Sequence, residues 1–185
     1  MKKSMLQFTM IIPLILLLCF AFSCKEQVTE EAPEGITEEE AKALVERDLE
    51  IWNDGNLALA DEIIAPDCVA HSADISEDIV GIDAFKEDVA ALRTIFPDSN
   101  LTVEELIVKN DRIVWRWIFT GTNTGTTSDI PPTGKKVRME GVGILRVVNG
   151  KIVERLIYKN DATQLRQLGY TITPPQPPET PEEKK

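Results

Sequence analysis

The segment that most constrains the fold is a pair of apolar runs, 137–148 and 151–158, joined by Asn149-Gly150. Asn-Gly readily adopts the two positive φ angles of a tight two-residue β-turn. Apolar runs on both sides of such a turn are typical of paired strands. The segment therefore predicts a β-hairpin.

The second strand of this hairpin leads directly into Asn160 and Asp161 and a short helix predicted over 162–168, which Gly169 ends. Two roles for Asp161 are open. Asp161 and Gln164, three residues later, have the spacing of a helix-capping box. The same carboxylate, in an apolar pocket, could exchange a proton with a carbon acid.

The remaining elements place helices before strands. Thr37 and Glu40 form a predicted capping box, and apolar residues follow at helical spacing to about Gly55. Further helices are predicted over 57–64 and 82–96, and strands over 68–71, 101–109 and 112–124. This order predicts an α+β domain in which helices cover one face of a curved antiparallel sheet and enclose a cone-shaped cavity.

Five segments in order carry a family resemblance. They are WNDGNLALADEIIAPDCVAHS (52–72), DRIVWRWIFTGTNTG (111–125), IPPTGKKV, the G-x-G-x-x-R-V-x-x-G-K-I-V-E run and L-R-Q-L-G. Together they resemble the SnoaL-like polyketide cyclase (ester cyclase) family of the nuclear-transport-factor-2-like superfold. The resemblance covers roughly 38–170 and implies a cone with a pocket at its wide end.

The resemblance also implies site residues. The family's proposed general acid/base, an aspartate just before the last helix, falls at Asn160, so that Asp161 would have to replace it. His71 lies where the family often has histidine and is a second candidate acid/base. Asn123 and Arg155 replace two further polar residues that are usual in cyclases. Chemistry of this kind needs no metal or cofactor.

Aromatic residues provide candidate ligand contacts. Trp52 and Phe85 lie on the apolar faces of predicted helices, and Trp117 shares one face of its strand with Trp115. Whether that face lines the cavity or packs elsewhere is open from sequence. We predict that Trp52, Phe85, Trp117 and Asn160 contact a ligand.

The ends of the chain differ from the domain in composition. Residues 1–23 combine Lys2 and Lys3 with an apolar run and a small-residue site before Cys24, which is typical of a bacterial lipoprotein signal peptide. Residues 24–36 form an acidic tether, 37–172 the domain, and 173–185 a tail rich in proline and glutamate. We expect a lipid on Cys24 to anchor the domain to a membrane of the cell envelope.

Charge and cysteine content exclude other classes. The net charge of −11 argues against nucleic acid as a partner. Cys68 is expected to be a small core residue, and a single histidine argues against a metal site.

Three functions fit these patterns. The first is cofactor-independent proton transfer on a small apolar carbonyl compound, by Asp161 or His71 with Asn160 stabilising the enolate. The second is binding of such a ligand without turnover, and the third is a homodimeric scaffold formed through the outer face of the sheet.

Overall fold

The computed structural model describes residues 35–72, 77–126 and 131–173, all within one compact unit of the chain. Its helices are α1 (Glu38–Asp54), α2 (Ala58–Ile63), α3 (Ile82–Ile95) and α4 (Asp161–Leu168). Its strands are β1 (Ile64–Ser72), β2 (Ile79–Val80), β3 (Asn100–Lys109), β4 (Arg112–Thr122), β5 (Lys136–Val148) and β6 (Lys151–Lys159). The predicted signal peptide, Cys24, and most of the tether and the tail lie outside the described residues.

Local signals in the sequence set the ends of these elements. The capping box at α1 is confirmed, since the Thr37 hydroxyl accepts from the Glu40 amide while the Glu40 carboxylate accepts from the Thr37 amide. Gly55 ends α1 in the left-handed conformation, with φ 73°. The hairpin turn is confirmed as well, because Asn149 and Gly150 have φ 52° and 75° and Val148 pairs with Lys151.

The six strands form one curved sheet in the order β2-β1-β6-β5-β4-β3. Strands β3 to β6 make the predicted antiparallel meander. Strand β1 is longer than predicted and pairs with β6 in parallel, so the sheet is mixed and not purely antiparallel. The parallel partner of β1 comes from a distant part of the chain, so no tight-turn sequence between the two strands predicts their pairing.

The alternation of side chains along β4 divides the sheet into two faces. Ile113, Trp115, Trp117 and Phe119 are buried against the helices. The intervening residues of β4 face outward, and the outer face also exposes Ile107, Val142 and Tyr158. A dimer through this outer face stays a prediction. None of the described helices is long and apolar enough to cross a membrane.

Candidate functional site

The inner face of the sheet and the helices enclose a cavity of about 240 Å³. Its walls are mostly apolar and aromatic. Helices α1 and α3 and the turn before β3 contribute Trp52, Asn53, Phe85, Asp88, Leu92 and Ser99. The strands contribute Ala70, His71, Ser72, Ile79, Leu101, Trp115, Trp117, Phe119, Met139, Arg155, Ile157 and Lys159.

Two glycines of β5 make room for the tryptophans of this wall. Trp115 pairs with Gly143 and Trp117 with Gly141 across the β4–β5 ladder. A Cβ atom at Gly143 would lie 2.1 Å from Trp115 Nε1, and one at Gly141 would lie 2.1 Å from Trp117 Cζ2. The indoles therefore lie over bare backbone, and the two glycines allow them to pack closely on the sheet.

Four buried donors of the cavity wall have no hydrogen-bond acceptor among the described residues. They are the indole nitrogens of Trp52, Trp115 and Trp117 and the hydroxyl of Ser99. A buried donor without an acceptor costs about 1–3 kcal/mol relative to a satisfied one. These atoms are themselves buried within the wall, and Trp115 Nε1 packs against Gly143, so a ligand oxygen would reach them only if their side chains moved.

The floor of the cavity holds a buried ion pair. Arg155 of β6 donates two hydrogen bonds to Asp48 of α1, at 2.9 and 2.7 Å. Its guanidinium carbon lies 5.0 Å from the centre of the Phe85 ring and 5.8 Å from that of Trp52. Burial alone would lower the pKa of Arg155, but the charge and hydrogen bonds of Asp48 outweigh it, and the pKa is raised.

The predicted ligand contacts divide into two groups. Trp52, Phe85 and Trp117 all line the cavity, and the edge-to-face contact of Trp52 with Phe85 joins α1 to α3. Asn160 is not among the lining residues. Its side-chain oxygen instead accepts a hydrogen bond from the Thr163 amide at 3.1 Å.

Asn160 is thus the N-cap of α4. The capping role considered for Asp161 belongs to the residue before it. Asp161 is the first helical residue, and its Oδ1 lies 2.6 Å from Lys159 Nζ. Lys159 lines the cavity, whereas Asp161 does not. Asp161, the predicted acid/base, therefore does not line the cavity itself; only Lys159, with which it forms an ion pair, does.

We expect Asn160→Ala to lower the free energy of unfolding by about 0.5–2 kcal/mol, because an amide of the first turn of α4 loses its acceptor. Asn160→Asp should retain stability, since aspartate caps about as well as asparagine. Asp161→Ala should cost less than about 1 kcal/mol, because it removes only a partly exposed ion pair. Urea unfolding of the three variants checks this order, and a larger loss for Asp161→Ala than for Asn160→Ala would contradict it.

The imidazole of His71 does not share the inner face with the tryptophans. His71 pairs with Leu156 of β6. The neighbours of Leu156 on this strand, Arg155 and Ile157, line the cavity, and their side chains point to the opposite face of the sheet. Its Nδ1 lies 2.7 Å from Asp78 Oδ1 and its Nε2 3.7 Å from Glu154 Oε1. Glu154 also binds Arg146 on the outer face. His71 thus borders the cavity at its strand, and this placement gives no support to a proton-transfer role inside it.

The three polar positions that depart from the family pattern all have structural partners. Asn123 is fully buried, and its side-chain oxygen accepts from the Thr133 amide and hydroxyl, at 2.7 and 2.9 Å. Arg155 binds Asp48, and Asn160 caps α4. Each of the three residues that departs from the family pattern is therefore held by its own partner within the domain.

Two further groups near the cavity bear on its chemistry. Asp88 lines the cavity and is a carboxylate that the sequence interpretation missed, although its spacing from Phe85 and Leu92 on α3 was a usable signal. Cys68 is buried, as predicted, and its burial raises the pKa of the thiol, which disfavours a nucleophilic thiolate. Within the described ranges, no group of three His, Cys, Asp or Glu residues could hold a metal ion.

Comparisons with known proteins agree with this geometry. The family model for SnoaL-like polyketide cyclases matches residues 42–168. No curated protein matches the sequence.

Three solved structures show the same fold. AclR from Streptomyces galilaeus, a candidate hydroxylase, is 29% identical with a TM-score of 0.64, over 76% of this chain and 87% of AclR. IdmH from Streptomyces antibioticus, a candidate polyketide cyclase, is 29% identical with a TM-score of 0.60, over 70% of this chain and 98% of IdmH. TsrD from Streptomyces laurentii is 22% identical with a TM-score of 0.65, over 72% of this chain and 98% of TsrD.

Proposed function

Because this chain belongs to the SnoaL-like polyketide cyclase family, we propose that its pocket binds a small, mostly apolar carbonyl compound. The observation that carries the proposal is a mostly apolar and aromatic wall that contains a few polar side chains able to donate a hydrogen bond, among them Ser72 and Lys159. A carbonyl oxygen can accept a hydrogen bond from such a side chain, and an apolar body matches the remaining wall.

The size of the cavity narrows the ligand class. Pockets for drug-sized ligands have volumes of about 300–1,000 Å³. The cavity here is smaller, at about 240 Å³. We therefore expect one or two fused rings or a short branched chain, and not an extended polyketide.

Titration of intrinsic tryptophan fluorescence tests the proposal, since three tryptophans line the cavity. We expect methyl 2-naphthoate to bind more tightly than naphthalene, which has the same rings and no oxygen. Leu92→Phe should weaken binding by filling the cavity. Leu59→Phe, at another half-buried leucine outside the lining, is the matched control. Equal affinity for the two compounds, or no effect of Leu92→Phe, would refute the proposal.

Proton transfer is a second candidate function, favoured by the presence of the Asp88 carboxylate in the cavity lining. A carboxylate near a bound carbonyl can take an α-proton, and donors at the oxygen stabilise the enolate that results. Exchange of α-protons for deuterium in a bound ketone, followed by NMR, should be faster with the wild-type protein than with Asp88→Asn. Equal exchange rates would leave binding as the function.

Membrane tethering through Cys24 rests on the sequence. We expect the mature protein to fractionate with membranes through a lipid on Cys24, and Cys24→Ser to give a soluble or uncleaved precursor. Metabolic labelling with a fatty-acid analogue and membrane fractionation check this. A Cys24→Ser protein that is still processed and membrane-bound would contradict it.

A further inference from the structure

The inner face of β6 presents two cations to the cavity, with one apolar residue between them. Arg155, Ile157 and Lys159 alternate along the strand and pair with Leu145, Gly143 and Gly141 of β5. All three residues of β6 line the cavity. The two cations have different surroundings.

The charge of Arg155 is already paired within the protein. Its two terminal nitrogens bind the two carboxylate oxygens of Asp48, and only 2% of the residue is exposed. A ligand that drew Arg155 away would leave Asp48 as an uncompensated buried charge, which is costly. Arg155 therefore forms part of the floor and is a poor candidate for binding a ligand oxygen.

Lys159 is more accessible and more adaptable. A quarter of its side chain is exposed, and its ammonium contacts Asp161 at 2.6 Å. An ammonium has three donors on a flexible stem and can rearrange its partners when a ligand enters.

The register of the sheet places Lys159 and Trp117 on either side of Gly141, on the same face. Gly141 pairs with Trp117 on one side and with Lys159 on the other. Because Gly141 has no side chain, the Trp117 indole covers it, and no side chain lies between Trp117 and Lys159 in this row of the sheet. A planar ligand lying on Trp117 would present an oxygen at its edge to Lys159.

We propose that Lys159, held in place by Asp161, binds the ligand's oxygen, and that the pocket selects planar apolar compounds whose oxygen is anionic, as in a carboxylate or an enolate. This inference rests on the proposed carbonyl-binding function and narrows its ligand class. Asp161 then acts as a positioning residue for Lys159 and not as the group that meets the ligand.

Two probes with one ring system test the inference: 2-naphthoate, which is anionic, and methyl 2-naphthoate, which is neutral. We expect the wild-type protein to bind the anion at least about tenfold more tightly than the ester, because a hydrogen bond to a charged group exceeds one between neutral groups. Lys159→Met should abolish this preference while retaining affinity for the ester. Lys159→Arg should restore a preference for the anion, which a merely structural role would not require.

Lys109→Met, at an exposed lysine of β3 outside the lining, is the matched control and should change neither affinity. If the ester binds but Lys159→Met leaves the affinity for the anion unchanged, the inference is overturned and the proposed function stands. If the ester binds more tightly than the anion to the wild-type protein, the inference is likewise overturned. If neither probe binds, both the proposed function and this inference fail.

Discussion

Replacing Arg155 with methionine is expected to lower the free energy of unfolding by about 3–5 kcal/mol, because it leaves Asp48 as an uncompensated buried charge. Asp48 is fully buried, and Arg155 supplies both of its charge-assisted hydrogen bonds in the described structure. The same substitution removes the guanidinium from the rings of Trp52 and Phe85. Urea or guanidinium unfolding, followed by circular dichroism, measures the loss.

The double variant Asp48→Leu with Arg155→Met is the control. It replaces the pair by apolar side chains of similar size, and such replacements of buried ion pairs are often neutral or stabilising. We therefore expect the double variant to recover most of the stability that Arg155→Met loses. Two results would contradict this explanation, in which the cost comes from the unpaired Asp48 charge. One is a loss below about 1 kcal/mol for Arg155→Met, and the other is a double variant as unstable as the single one.

The second large effect is expected at Gly143. In Gly143→Ala, the new Cβ atom would lie 2.1 Å from Trp115 Nε1, so that the buried indole must move. Forcing extra atoms into a packed core costs typically about 1–3 kcal/mol. We expect a loss of that size, together with a changed near-ultraviolet circular dichroism spectrum and weaker binding of methyl 2-naphthoate.

A double-mutant cycle separates this steric clash from a general loss of strand stability. Trp115→Phe removes Nε1, the atom nearest to the new methyl group, and should itself destabilise the protein by leaving space. If the clash dominates, Gly143→Ala should cost less in the Trp115→Phe background than in the wild type. Additive losses would show that the indole does not require the glycine.

Local signals in the sequence account for much of the fold. The capping box at Thr37, the end of α1 at Gly55 and the hairpin turn at Asn149-Gly150 are all confirmed. Each depends on residues within about four positions of one another, so the chain itself supplies the interacting groups. The periodicity of apolar residues likewise predicts the strands of the meander, and the family pattern predicts the cone-shaped fold.

The structure brings only some of the predicted site residues to the cavity. Trp52, Phe85 and Trp117 line the cavity, whereas Asn160 caps a helix and Asp161, which is not in the lining, contacts Lys159, which is. A shift of one residue at the junction of β6 and α4 decides which polar side chain caps and which forms the ion pair. The sequence pattern of this junction fits either residue as the cap.

By itself, then, the sequence determined the helices, the meander, the hairpin and the family, because short-range sterics, capping and periodicity act between neighbours in the chain. Only the tertiary structure decided that β1 joins β6 in parallel, that Asp48 pairs with Arg155, 107 residues away, and that the imidazole of His71 faces outward. In a strand, successive side chains point to opposite faces, and the face that becomes the inside depends on which distant elements cover it. Those contacts join residues that are far apart in the chain, so no local pattern can specify them.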